Sequence, residues 1–497
     1  MATMAWALQA AWVWMDQGPA DSDDWHHLTK AEMLHRSWID GGFSGLVHAI
    51  DQSNTVYPPL VHLSALLAFG IAGSFDIDAA LYTIGPYLFL LVLATGGSIR
   101  ASYGNEAGGS TAALAGAAMM AGMPLIVCLS RKFLLDLPSA AMLALAFWAM
   151  TSSDGLRRPI PATLAGVATG LAMMAKFTAG IYVIGAWGLL ALLGLGGLLW
   201  QHPWRGLVAV GLVGAGLGAI YNARPPTIRD VRLLELWQAD LPGGEWIFVV
   251  ALGLGLLLAA AWRWADPESQ RVLSLGLATA AGVAVAGPWY TDHAVDVMVG
   301  VFSASTAGGI REGDPNASNA TGWLLYLYGL TRMLPRGWLW LILLGAATSL
   351  VHPRLRRALP LAVAGLGVGW LVLTLSANKE FRYTVGLHQY LVLLGCGWLA
   401  VLPSVLRGLV TASLLLAALG MSGGWIAMEA GWNVPEAIVW PEDHILSSGR
   451  ALPSGRVVPA ELSWRDLLHS PDFYAIAMPP RKQPFEEEDL PLGRQGP

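Results

Sequence analysis

The chain has 497 residues, 55% of them hydrophobic and only 13% charged, with a formal net charge of -5 and a mean hydropathy of +0.52. Soluble domains carry about 25% charged residues, so a water-soluble fold is excluded. The modest charge and the lack of a basic arm give no reason to expect nucleic acid as a partner. Two cysteines, Cys128 and Cys396, lie in apolar segments and cannot make a disulfide framework.

Apolar segments follow one another along the chain. "MATMAWALQAAWVWM" falls short of the roughly 20 residues a crossing helix needs. It lacks the basic start and small-residue cleavage site of a signal peptide. It reads as the outer part of a first transmembrane helix, with the true start expected upstream. Further spans are predicted at 79–98, 110–129, 137–151, 161–175, 179–200, 206–221, 246–262, 272–288, 338–351, 359–375, 385–402 and 408–426. The loops holding Arg157, Arg158, Arg205, Arg263, Arg271, Arg354, Arg356, Arg357 and Arg407 contain few acids, which assigns them to the cytoplasm. The stretches 16–78, 130–136, 222–245, 289–337 and 376–384 then lie outside.

"PPLVHLSALLAFGIAG", Pro58 to Gly73, is a helix that proline starts and glycine ends. A crossing there would invert every later loop, so it is expected to lie on the outer membrane surface within the 16–78 loop. The tail 427–497 also falls outside. It is polar and Trp-containing enough for a small folded element, with disorder expected at "PFEEEDLPLGRQGP". The prediction is an all-α polytopic membrane protein with about 13 transmembrane helices: one transmembrane unit over 1–426, carrying an added helical hairpin at 206–262, and a small extracytoplasmic tail.

Against this layout the charges at outer helix ends stand out: Arg131, Lys132, Lys176, Lys379 and Arg382. A charge deep in a bilayer costs about 2.5–3.5 kcal/mol on insertion scales and marks a functional candidate. Each of these cations singly is open to the plainer reading of a side chain snorkelling to the interface. Five together point to an anion at the outer leaflet. Carboxylates gather on the same side: Asp21, Asp23 and Asp24 in "DSDDWHHL", Asp136 in "SRKFLLDLPSA", and Glu380 in "NKEFRY". In a helix opened by "SDDWHHL", Asp23 and His27 share a face. "SDD" also suits a helix N-cap, and His26 and His27 fit either interfacial positions or substrate contacts. Carboxylates supply a general base toward a hydroxyl or amine, and Lys and Arg stabilise a departing phosphate.

These pieces, in this order, resemble the GT-C superfamily of polyprenyl-phosphate-sugar glycosyltransferases. Among these, the chain is similar to the bacterial relatives of protein O-mannosyltransferases and of the lipid A aminoarabinose transferases. The first-loop acidic pair is Asp23-Asp24 and the "PPL" is Pro58-Pro59-Leu60. The "SR…D.P" element is Ser130, Arg131, Asp136 and Pro138, and the Gly-rich helix ending in Lys is "GVATGLAMMAKFTAG" with Lys176. "PWY" is Pro288, Trp289 and Tyr290, and "RY" is Arg382-Tyr383. The acidic-Lys pair common before the prolines is Val56-Tyr57 here.

The resemblance implies a GT-C-type fold with juxtamembrane helices in a large first extracytoplasmic loop. It implies transfer of a hexosyl or pentosyl unit from a polyprenyl-phosphate sugar to a lipid, glycan or protein acceptor. Asp23 would be the base, with Asp24 next, and Asp136 would organise the site. A divalent metal ion, if used, would rest on Asp23 and Asp136. Arg131, Lys132, Lys176, Lys379 and Arg382 would hold the donor phosphate, and His27, Tyr57, Trp289, Tyr290 and Tyr383 would contact substrates. The expected place is a bacterial inner membrane with the site facing the periplasm. A lipid-linked saccharide flippase or an inactive relative are the alternatives; internal repeats and midplane charges, which transporters show, are not found.

Overall fold

The structure is a computed structural model that describes residues 1–15, 22–52, 56–104, 106–202, 204–205, 207, 244–303, 315, 317–318 and 320–429. The span predicted at 206–221, the "TAGGIREGDPNAS" loop and the tail from 430 lie outside them, apart from Leu207, Pro315, Ala317 and Ser318.

Among the described residues the chain is helical throughout, as predicted, with no strand. The order begins α1 (Ala2–Met15), α2 (Ser22–Gln52), α3 (Leu60–Ala72), α4 (Ile77–Tyr82), α5 (Ile84–Tyr103), α6 (Ala107–Gly122) and α7 (Pro124–Leu129). It continues with α8 (Asp136–Ser152), α9 (Pro159–Ala175), α10 (Ala179–Gln201), α11 (Gly244–Trp262), α12 (Pro267–Asp292) and α13 (Ala294–Ser303). The last are α14 (Ala320–Met333), α15 (Arg336–Val351), α16 (Leu359–Leu375), α17 (His388–Gly397) and α18 (Ser404–Glu429), with a 3-10 turn over Phe381–Leu387 before α17. Six helical stretches among the described residues are long and apolar enough to cross a bilayer, and four shorter apolar helices accompany them.

Three predicted boundaries differ. The span expected at 110–129 is broken between α6 and α7, because Pro124 lacks an N–H and Met123 before it is extended, at φ -65° and ψ 126°. The span expected from 385 begins in the 3-10 turn at Phe381. The stretch 289–337, expected as an outer loop, holds the end of α12 together with α13 and α14. Helices of 10 and 14 residues are too short to register in a search for membrane-crossing lengths.

α8 lies at the centre, packed between α5 and α9 and buried from Asp136 to Ala144. Small residues let the neighbouring axes close in, as membrane helices require where no hydrophobic effect drives them together. At Gly166 of α9 an added Cβ would stand 1.9 Å from the Ala278 carbonyl of α12, and at Gly185 of α10 it would stand 2.1 Å from the Ala364 carbonyl of α16. Both thiols are sealed in this interior, with Cys396 Sγ 3.3 Å from Met119 Sδ.

α2 and α3 form the described part of the first loop. α2 bends at Gly42, whose φ of 58° and ψ of -145° are open only to glycine. α3 has 13 residues, about 20 Å of helix, against about 30 Å of hydrocarbon. It buries Val61, His62, Ala65 and Phe69 and leaves Leu67 and Ile71 exposed.

The ends of the bundle sort by charge. One end joins Arg354 to Glu106 at 3.9 Å, and both Arg205 and His202 to Asp266. Arg157 and Asp154, beyond the last turn of α8, mark the same end. The other end holds Asp136 at the first turn of α8, with Lys176 and Arg382.

Candidate active site

Lys176 sits where α9 stops and α10 has not begun, with extended backbone at φ -154° and ψ 130°. That break turns its side chain inward, and its Nζ donates to Asp136 Oδ1 at 2.6 Å. Asp136 opens α8, where the helix dipole favours a carboxylate. Both side chains are buried, at 11% and 4% exposure, so the pair is desolvated and held by direct contact.

The 3-10 turn at Phe381 brings a second charge pair to the first. Arg382 pairs with Glu380, and its guanidinium lies 5.8 Å from the Tyr383 ring centroid while Lys176 Nζ lies 5.1 Å from the same ring. Tyr182 of α10 fixes this turn by donating to the Tyr383 carbonyl at 2.5 Å.

The first loop covers the group. Asp24 is buried and its Oδ2 stands 4.0 Å from Lys132 Nζ. His27 Nδ1 is 3.2 Å from His62 Nε2 of α3, and its ring packs edge-on against Tyr57 at 5.0 Å. Tyr57 in turn meets Phe177, next to Lys176, at 5.9 Å. Lys30 Nζ donates to the Tyr57 carbonyl at 2.8 Å and so fixes that residue. Burial pushes the His27 pKa down to about 3; His26 and the nearby Lys176 add to the shift and Asp136 opposes it. Burial likewise lowers Lys30 to about 7 and His62 well below its ordinary value.

The predicted residues thus divide. Asp24, His27, Tyr57, Lys132, Asp136, Lys176, Arg382 and Tyr383 gather at one end of the bundle. Tyr290 reaches its edge by donating to the Met173 carbonyl, one turn before Lys176, at 2.9 Å. Trp289 instead stacks on His293 at 4.7 Å. The Arg131 guanidinium lies 5.0 Å from the Trp12 ring of α1. Lys379 is fully buried and donates to the carbonyls of Thr374 and Ser376 at 2.5 and 2.6 Å, which cap the end of α16. Asp23 lies in the first turn of α2, four residues before His27 and seven before Lys30; its side chain is outside the described residues.

Lys30 and His62 were missed from sequence. The i, i+7 spacing from Asp23 to Lys30 was available as a signal, but His62 looked like one polar residue in an apolar helix.

As a metal site the described residues do not suffice. Asp136 Oδ1 is bound to Lys176 and Asp24 faces Lys132. No three His, Cys, Asp or Glu side chains converge among the described residues.

Residues 87–215 match the family profile of dolichyl-phosphate-mannose-protein mannosyltransferase. The matched stretch contains Arg131, Lys132, Asp136 and Lys176, so this part of the chain is similar to a family of membrane glycosyltransferases. The resemblance to lipid-phosphate-sugar glycosyltransferases read from the motifs stands.

Among solved structures, the chain resembles the Archaeoglobus fulgidus oligosaccharyltransferase tethered to an acceptor peptide. Identity is 14% and the TM-score 0.40, over 96% of this chain and 63% of that one. The chain therefore spans under two thirds of that enzyme's length. ArnT from Cupriavidus metallidurans, solved in the apo state and bound to undecaprenyl phosphate, aligns over 96% of this chain and 84% of its own. Identities are 15% and 14%, each with a TM-score of 0.31. No curated protein matches the chain.

Proposed function

We propose that the protein is an integral membrane glycosyltransferase that moves a sugar from a polyprenyl-phosphate donor to an acceptor at the extracytoplasmic face of a bacterial inner membrane. The buried Lys176–Asp136 pair, ringed by Arg382, Tyr383 and the first-loop cluster, carries this reading. Buried charges at a membrane helix end are expensive and are retained for work on a charged partner.

In this reading the donor phosphate docks on Lys176 and Arg382, which share the Tyr383 ring, with Lys132 at the same end of the bundle as a further contact, and takes a share of cations now facing Asp24, Asp136 and Glu380. The Asp23 carboxylate takes the proton from the acceptor nucleophile. That nucleophile forms a bond to the anomeric carbon as the bond to the phosphate oxygen breaks. Polyprenyl phosphate leaves with the bonding electron pair, its charge stabilised by the same cations in a site poor in water. Tyr57 and His27, fixed by Lys30 and His62, form the wall nearest α2 and orient the acceptor. No step requires a metal held by the described residues; a divalent cation would need the Asp23 carboxylate as well.

The test is incubation of purified protein with radiolabelled polyprenyl-phosphate sugars, scoring released polyprenyl phosphate. Wild type turns over. Asp23→Asn loses at least about 100-fold, the scale on which a general base contributes, and Lys176→Met raises the donor KM. Failure of every donor to react, or full activity in Asp23→Asn, overturns the assignment.

A further inference from the structure

A groove of about 430 Å³ lies between α9, α11 and α12, at the bundle end opposite Lys176. Its lining is apolar and includes Leu164, Leu252, Leu256 and Leu277. Leu256 and Leu164 are more than half exposed, so the groove opens toward hydrocarbon. From Leu252 to Trp262 the wall advances about 15 Å along α11, half of a hydrocarbon core about 30 Å thick. The groove is one leaflet deep: it fits a single acyl tail and is too short for a chain that crosses the bilayer.

Its mouth is basic. Pro159 and Trp262 both line the groove, and their chain neighbours Arg158 and Arg263 are both exposed. The acids nearby are already engaged: Asp154 with Arg157 at 3.7 Å, Asp266 with Arg205, and Glu268 with Arg271 at 2.8 Å. Arg158 and Arg263 have no carboxylate partner among the described residues. Trp264, next in the chain to Arg263, is 83% exposed, as interfacial tryptophans are. Two uncompensated cations over a one-leaflet apolar slot match a lipid that carries its negative charge at the interface.

We propose that this groove is a binding site for an anionic phospholipid, with its phosphate on Arg158 and Arg263 and one acyl chain along α11. The site is separate from the Lys176 cluster and does not depend on the reaction assigned above.

Native mass spectrometry of the full chain in mild detergent, titrated with phosphatidylglycerol or phosphatidylcholine, tests it. Phosphatidylglycerol should bind more tightly, and Arg158→Gln and Arg263→Gln should each weaken it about fivefold, the worth of one arginine near an anionic surface. Both side chains are exposed, so these variants keep the fold. Leu256→Trp, which fills the slot, should displace the lipid with the arginines intact. Equal binding of the two lipids, or arginine variants that bind phosphatidylglycerol as wild type does, overturns the proposal. So does a co-purified polyprenyl phosphate lost from the same variants.

Discussion

His27 lies where α2, α3 and the residues around Lys176 press together, and its protonation is coupled to folding. Its pKa is near 3 in the folded protein, below an ordinary value of 6.5. Between those values the unfolded chain holds the extra proton. The contribution of His27 to stability is therefore complete above about pH 6.5 and is lost as pH falls toward 3. The melting temperature of wild type should drop between pH 7 and pH 4, and His27→Gln should flatten that drop; equal slopes would show that His27 is not the titrating group. Charge placement in the sequence singled out Asp24, His27, Lys132, Asp136, Lys176 and Arg382, and the family resemblance added Tyr57 and Tyr383, while Lys30 and His62 went unnoticed. It could not tell Lys176, which turns into the site, from Lys379, which caps α16. Both are single lysines beside apolar runs, and only the path of the backbone distinguishes them.

Among the elements, hydropathy located the long helices well because a bilayer imposes one length on all of them. It missed the break at Pro124, where the apolar run continues through a backbone interruption, and it missed α13 and α14, which are short and partly polar. The crossing of α9 and α12 was not legible at all. "GVATG" reads as a helix with two glycines, while the structure sets Gly166 against the Ala278 carbonyl. Gly166→Ala would force a methyl into backbone, and overpacking of this kind costs about 1–3 kcal/mol. Thermal unfolding in detergent should begin several degrees lower; an unchanged melting curve would mean that the helices part freely there. Because Lys176 follows directly on α9, a shift of that helix should also weaken donor binding.

For the whole molecule, the two charged ends follow the division of loops derived from arginine placement. Asp40 of α2 and Arg357 before α16 are exposed near opposite ends. In intact cells, a thiol reagent that cannot cross membranes should react with Asp40→Cys and spare Arg357→Cys. The reverse pattern would turn the protein over and place the Lys176 cluster at the cytoplasmic face, against the proposed function. The sealed interior makes this experiment simple. Cys128 and Cys396 have no exposed surface, so the natural chain should stay silent toward such reagents while folded. It can serve as its own blank, with no need for a cysteine-free version, and any reaction of the unaltered protein would report opening of the bundle.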